Sequence, residues 1–386
     1  MMETKRVLIR DVKRPRDEEL AEAARILREG GLVAFPTETV YGLGGNALDG
    51  EAAGKIYAAK GRPSDNPLIA HISCMEELGG LVREVSWMGE KLAEAFWPGP
   101  LTMVFPKSER VPYGTTGGLD TVAVRMPSDP VAQRLISLAG VPVAAPSANT
   151  SGRPSPTTAE HVWQDMQGKI EMIVDAGAVG IGLESTIVDV TGEVPVILRP
   201  GAVTQEMIAA VLGAVEVDAA VLGPVQEGVA PKAPGMKYKH YAPKGELVLV
   251  ELKEETVKAL HSPGSGEYRR VSSMLAKEGK NWKLDLESAY MALMVNEKAR
   301  ELENAGERVG VICTEETWDE YTVKVKRSIG SRNRDETIAH NLYAVLREFD
   351  DLGVEYIFSE SFSKDHLGEA IMNRLNKAAG YRVLRV

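Results

Sequence analysis

Apolar residues recur with two different periods along this chain. Between 17 and 29 they fall at helical spacing, with Leu20, Ala24 and Leu27 on one face of a charged segment that Gly30-Gly31 terminates; this predicts an amphipathic helix starting at Asp17. A short apolar run at 32–35 follows at once and predicts a strand. Further runs rich in β-branched residues at 67–72, 101–105, 121–124, 141–145, 173–174, 186–190 and 194–198 predict strands, and helical patterns near 51–59, 86–96, 129–139 and 157–166 separate them. Helices do not alternate strictly with strands, so the pattern indicates an α/β fold with a mixed, twisted sheet rather than a regular doubly wound one.

The pattern changes between 212 and 245. Ala, Val, Gly and Pro dominate there, periodicity fades, and the stretch ends in Ala233-Pro-Gly-Met-Lys-Tyr-Lys-His-Tyr-Ala-Pro243, which reads as an interdomain linker. Beyond it, strands at 246–251, 309–312 and 355–358 alternate with amphipathic helices near 285–303, 335–349 and 366–379; this predicts a smaller parallel three-layer domain. The expected division is 1–212, a linker at 213–245, and 246–386. A chain of 386 residues exceeds what one core usually supports, so two domains also follow from length.

Composition narrows the class of function. With 44% hydrophobic and 26% charged residues the chain has an ordinary globular composition, and its net charge of −10 provides no global positive field to draw it onto nucleic acid. The two cysteines, Cys74 and Cys313, are far apart and lack any C-x-x-C partner, which argues against a disulfide framework or thiolate zinc site and for a reducing cytoplasm. Neither an apolar leader nor a run long enough to span a membrane is present in the sequence. The six histidines have no metal-ligand spacing, so no protein metal site is expected.

Two clusters carry candidate chemistry. In the first, Pro36-Thr-Glu-Thr-Val-Tyr-Gly-Leu-Gly44 precedes a loop with Lys60, Arg62 and Asn66, and then His71. Cationic and amide donors gathered between a helix and a strand suit a triphosphate or carboxylate, although a solvated basic loop reads equally well. In the second, the strand from Thr121 ends in Arg125, and Pro146-Ser-Ala-Asn-Thr-Ser-Gly-Arg-Pro-Ser155 mixes hydroxyls with Gly and Pro, which fits an anion nest or simply a turn. The segment Gly182-Leu-Glu-Ser-Thr186 adds a hydroxyl and Arg199-Pro-Gly201 a cation. Gly42-x-Gly44-x-x-Ala47 imitates a dinucleotide fingerprint, but 36–41 intervenes after the strand. There is no P-loop, and Ser147 lacks the G-x-S-x-G setting of a hydrolase nucleophile.

Lys60-x-Arg62 and Ser147-x-Asn149, together with 36–43 and Arg199-Pro-Gly201, resemble the threonylcarbamoyl-AMP synthases of the YrdC type. The 233–243 motif and Gly368-Glu-Ala-Ile-Met-Asn-Arg-Leu375 resemble that family's long form, with a linker and a second, Rossmann-like domain. The resemblance implies a first domain folded around a deep cavity that binds ATP and L-threonine, with bicarbonate supplying a new carbon. Lys60, Arg62, Ser147 and Asn149 would then be the catalytic set. Arg62, Asn66, Ala145, Ser147, Ser155, Arg199 and Tyr241 would bind ATP, with Tyr241 reaching back from the linker as part of a lid. Thr39, His71, Thr121, Arg125 and Ser185 would bind threonine. Magnesium would arrive with ATP, and a tRNA threonylcarbamoyltransferase complex would receive the product. A related alternative, the carbamoyl-transferring domain of hydrogenase maturation proteins, calls for cysteine-rich zinc modules that two isolated cysteines cannot supply. A double-stranded RNA-binding or ribosome-associated module is the alternative from another class, and the acidity of the chain argues against it.

Overall fold

A computed structural model describes residues 2–223, 240–277 and 286–386. The first part of the chain builds an eleven-stranded sheet. Its strands are β1 (Lys5–Leu8), β2 (Val33–Phe35), β3 (Gly42–Asn46), β4 (Ile69–His71), β5 (Leu101–Pro106), β6 (Thr121–Arg125), β7 (Val143–Ala144), β8 (Met172–Asp175), β9 (Thr186–Asp189), β10 (Val196–Arg199) and β11 (Glu216–Val217). They lie in the order β1-β8-β2-β3-β7-β4-β6-β5-β9-β10-β11, with parallel and antiparallel neighbours interspersed, which is the mixed sheet the pattern predicts. Helices Asp17–Arg28 and Pro130–Ala139 cover one face, where Leu20, Leu27, Leu135 and Ile136 close a core with Val33 and Val174. A larger core on the other face gathers Ile56, Leu92, Met103, Val124 and Ile173.

The second part holds five parallel strands, β12 (Glu246–Glu251), β13 (Val309–Cys313), β14 (Val325–Ser328), β15 (Tyr356–Glu360) and β16 (Val383–Arg385), in the order β14-β13-β15-β12-β16. Helix Leu286–Asn304 contributes Ala292, Val295 and Ala299 to one apolar layer, while Asp335–Asp351 and Leu367–Ala379 contribute Leu342, Leu346, Ile371 and Leu375 to another. This is the expected three-layer arrangement.

Of the stretch read as linker, residues 224–239 lie outside the described residues, and with them most of the 233–243 motif. Residues 213–223 pack as part of the first sheet: β11 pairs with β10, and helix Ala219–Leu222 follows, capped by Asp218. Val40 and Leu183 of the first part and Tyr241 at the end of the linker join the core of the second domain beside Leu342 and Tyr343, so the two parts share an apolar layer. Gly182 permits that approach. Its φ is +89°, and a Cβ there would come within 2.5 Å of the Ala339 carbonyl oxygen, so both its conformation and its contact call for glycine. Among the described residues no helix is long and apolar enough to cross a membrane.

Candidate active site

Helix Gly50–Lys60 begins at Asp49, whose side chain accepts from the Glu51 amide, and ends at Gly61 in the left-handed conformation. The Arg62 amide bonds back to the Tyr57 carbonyl and that of Gly61 to Ala58; this Schellman-type stop turns the chain so that Lys60 and Arg62 emerge on either side of Gly61 at a helix end. Lys60 is almost wholly buried (3% exposed). Its Nζ donates to the main-chain oxygens of Ser147 and Asn149, the latter at 2.7 Å. Burial and then the neighbouring Arg62 push the Lys60 ammonium well below its ordinary value, and an incoming anion would favour its charged form.

The loop gripped by Lys60 is held on its other side by β3: Leu43 N donates to Pro146 O at 2.7 Å and Ala148 N to Tyr41 O at 2.8 Å. Within the loop, Ser147 Oγ donates to Asn149 Oδ1, and Asn149 Nδ2 donates to the carbonyls of Thr150 and Arg153. The Ser-x-Asn turn is therefore fixed by its own side chains. Arg62 Nη2 donates to the carbonyls of Asn66 and Pro67, while Arg62 Nε and Asn66 Oδ1 have no hydrogen-bond partner among the described residues. Burial brings the Arg62 guanidinium down to about 10.

Sheet register assembles the remaining groups. His71 on β4 lies beside Arg125 on β6, which lies opposite Thr102 on β5. Thr102 Oγ1 and Ser185 Oγ are 2.7 Å apart, and Arg199 at the end of β10 donates to Ser185 O at 3.0 Å and Ser185 Oγ at 3.2 Å. Arg125 Nη1 donates to Thr39 Oγ1 at 2.9 Å, and its Nη2 stands 2.8 Å from Glu38 Oε1, a close ion pair off the hydrogen-bond direction. Burial, reinforced by Arg125, lowers His71 to about 3, so its ring is neutral at physiological pH.

Most of these groups face one cavity. Thr39, Lys60, Arg62, His71, Arg125, Ala145, Ser147, Asn149, Ser185, Arg199 and Tyr241 all line it. Three of the residues singled out from the sequence do not. Asn66 is buried behind Arg62, and Ser155 is buried with its hydroxyl 2.5 Å from Glu184. Thr121 sits at the opposite end of β6, paired with Pro106, about 13 Å along the strand from Arg125.

The cavity also takes in Thr37, Arg153, Glu184 and His240, which the sequence reading did not assign. Glu184 was within reach in Gly182-Leu-Glu-Ser-Thr186, but its partners come from far along the chain. Tyr343 OH donates to it at 2.8 Å and Arg374 Nε at 2.8 Å. Burial alone would raise the Glu184 carboxyl; Arg374 and Arg199 outweigh it and hold the group down at about 2. Tyr241, with φ at +65°, has its ring centroid 5.2 Å from that of Tyr343, and the next residue bonds Gly152 O at 2.9 Å. A left-handed tyrosine costs about 1 kcal/mol or more, which burial of its ring against Tyr343 offsets.

Fold and site together define a two-domain α/β protein whose mixed-sheet domain encloses a buried cationic cavity, closed on one side by His240 and Tyr241 at the end of the linker. A family model described as telomere recombination matches residues 25–201, and one described as threonylcarbamoyl-AMP synthase, C-terminal domain, matches 203–380. The chain is 46% identical to the threonylcarbamoyl-AMP synthase of Pyrococcus abyssi, over 94% of this chain and 95% of that one. It is 44% identical to the threonylcarbamoyl-AMP synthase of Bacillus subtilis over the whole of both. The crystal structure of P. abyssi Sua5 complexed with L-threonine superposes with a TM-score of 0.84 at 44% identity, covering 99% of this chain and all of that one. The chain belongs to the threonylcarbamoyl-AMP synthase family.

Proposed function

We propose that this chain makes threonylcarbamoyl-AMP and pyrophosphate from L-threonine, bicarbonate and ATP, for threonylcarbamoyladenosine modification of tRNA. The observation that carries the reading is the convergence of Lys60, Arg62, Arg125 and Arg199 on one buried cavity, in a family whose relatives bear that activity in their names. Threonine's amine captures bicarbonate as a carbamate with loss of water. A carbamate oxygen then attacks the α-phosphorus and pyrophosphate leaves. Negative charge spreads over the reacting oxygens throughout, so fixed cations and donors matter more than any one nucleophile.

In this reading Lys60 and Arg62 hold phosphate or carbamate oxygens, and Ser147, Asn149, Ala145, Arg199 and Tyr241 shape the nucleotide site. Asn66 and Ser155 serve it from behind, through Arg62 and Glu184. Arg125 grips the threonine carboxylate; its existing contact with Glu38 supports that role, since the same guanidinium already meets one carboxylate in a buried setting. Thr39, His71 and Ser185 meet the amine and hydroxyl. The end of the linker serves as a lid through Tyr241, ahead of a second domain that supports it. Among the described residues no three His, Cys, Asp or Glu side chains converge on a metal position, and Glu184 is already committed to Ser155, Tyr343 and Arg374. Magnesium would enter with the triphosphate as its counter-ion. The product passes to a tRNA threonylcarbamoyltransferase complex in the cytoplasm.

Chromatography of reactions containing ATP and magnesium, with threonine and bicarbonate each supplied or withheld, tests the proposal. An adenylate and pyrophosphate that require both are expected; ATP left intact in the complete mixture would refute it.

A further inference from the structure

Glu184 is an unusual lining residue for a cavity that takes polyanions. A carboxylate beside a triphosphate repels it, and more strongly where water is excluded. The two C-terminal helices supply what offsets that charge. Arg374, fully buried on Leu367–Ala379, donates Nε to Glu184 Oε2 at 2.8 Å and Nη2 to Pro200 O at 3.0 Å, the residue after Arg199. Tyr343, on Asp335–Asp351, donates to the same carboxylate, whose other oxygen accepts from Ser155 at 2.5 Å. The guanidinium of Arg374 also lies 5.7 Å from the centre of the Tyr241 ring. One turn further along the same helix as Tyr343, Arg347 Nη2 donates to Pro154 O at 2.6 Å and to Asp165 at 2.9 Å. Asp165 in turn accepts from the Thr150 amide at 3.0 Å. The loop that carries Ser147 and Asn149 is thus held from behind by three residues of the second domain.

We infer that Arg374 and Tyr343 are positioning residues for the nucleotide site: they neutralise and orient Glu184, which then fixes Ser155 and the 146–155 loop without repelling phosphate. The second domain accordingly backs the nucleotide pocket from behind its lining, through Glu184 and the 146–155 loop. This rests on the reading of the cavity as an ATP site, and it assigns nothing to the threonine contacts of Arg125, which the second domain does not touch in these bonds.

The test is calorimetric binding of ATP and, separately, of threonine to the full chain, with melting temperature measured for each variant. Arg374→Met should weaken ATP binding roughly 10- to 100-fold while threonine binding stays within about twofold. Glu184→Gln/Arg374→Met should bind ATP better than Arg374→Met alone, because the uncompensated charge is gone. Tyr343→Phe keeps the ring on Tyr241 and should cost ATP a roughly three- to tenfold loss that is non-additive with Ser155→Ala; this pair decides the matter if Arg374→Met does not fold. ATP affinity unchanged in folded Tyr343→Phe, or ATP and threonine affinity falling together, would overturn the inference. Wild-type chain that binds ATP and threonine yet makes no adenylate would count against the proposed reaction and leave these binding ratios readable.

Discussion

Both sheets end their strands in buried charge, and they dispose of it differently. In the parallel sheet, β13 and β15 are neighbours whose connections leave in opposite directions, to β14 on one side and β16 on the other. The crevice at their carboxyl ends is where open α/β sheets ordinarily take ligands. Here it is filled from within: Glu360 accepts from Thr317 and from Tyr321 at 2.9 Å, and pairs with Arg332. Beside the mixed sheet, by contrast, Lys60 and Arg62 at a helix end meet main-chain carbonyls rather than carboxylates, and the cavity before them is lined by Arg125, Arg153 and Arg199 against one carboxylate, Glu184. At Glu360 the buried charge is matched by Arg332 and hydroxyl donors, which closes the crevice. At Lys60 and Arg62 the buried cations meet carbonyl dipoles only, which leaves them able to take an anion, as the proposed reaction requires.

That contrast can be broken most sharply at Lys60. Lys60→Ala removes a charge and the tie to the Ser147-Asn149 turn, so adenylate formation should fall about 10²- to 10³-fold in a folded protein, as single-turnover assays would read. Activity within tenfold of wild type would make Lys60 a packing residue. Next in size, Arg125→Ala should raise the threonine KM about 30-fold or more, the worth of a charge-assisted contact, and leave the ATP KM within about threefold. Equal effects on both substrates would merge the two ends of the cavity that the account keeps apart.

Glu360→Gln probes the other side of the comparison. It should cost about 1–3 kcal/mol of stability by denaturant titration, with kcat per folded molecule unchanged; a drop in kcat beyond the loss of folded protein would make the filled crevice functional. The smallest effect is on pH dependence. His71 is lowered to about 3 from 6.5 by burial, so only the unfolded chain takes up this proton between those values. Its contribution is fully present above pH 6.5 and is lost as pH falls toward 3, at about 1.4 kcal/mol per unit. His71→Asn should flatten the stability slope between pH 6 and 5 by about that amount, measured by urea unfolding.

Much of the site was legible in the sequence because its residues sit at element ends. Lys60 and Arg62 flank a helix-stopping glycine, and Arg125 and Arg199 close strands whose apolar alternation is plain. Thr121 was misleading for the same reason: it shares a strand with Arg125 but lies at the wrong end of it. Glu184 stayed hidden because its partners Tyr343 and Arg374 are 159 and 190 residues away, a separation no local pattern encodes. Among the strands, β3 reads against β propensity, being Gly-Leu-Gly-Gly-Asn. At Gly44 a Cβ would come within 2.8 Å of Phe35 and Val143 side chains, so close packing of neighbouring strands selects glycine over a strand former. The short edge strands β1, β11 and β16 owe their pairing to neighbours rather than to their own pattern.

The central claim is that the cavity builds bicarbonate carbon and threonine together into one adenylate. Isotope-labelled bicarbonate, with threonine, ATP and magnesium, followed by mass spectrometry of the adenylate, tests it most directly. The account predicts an adenylate that carries both threonine and the labelled carbon, and no adenylate when bicarbonate is removed. An unlabelled threonyl adenylate, formed equally well without bicarbonate, would contradict it.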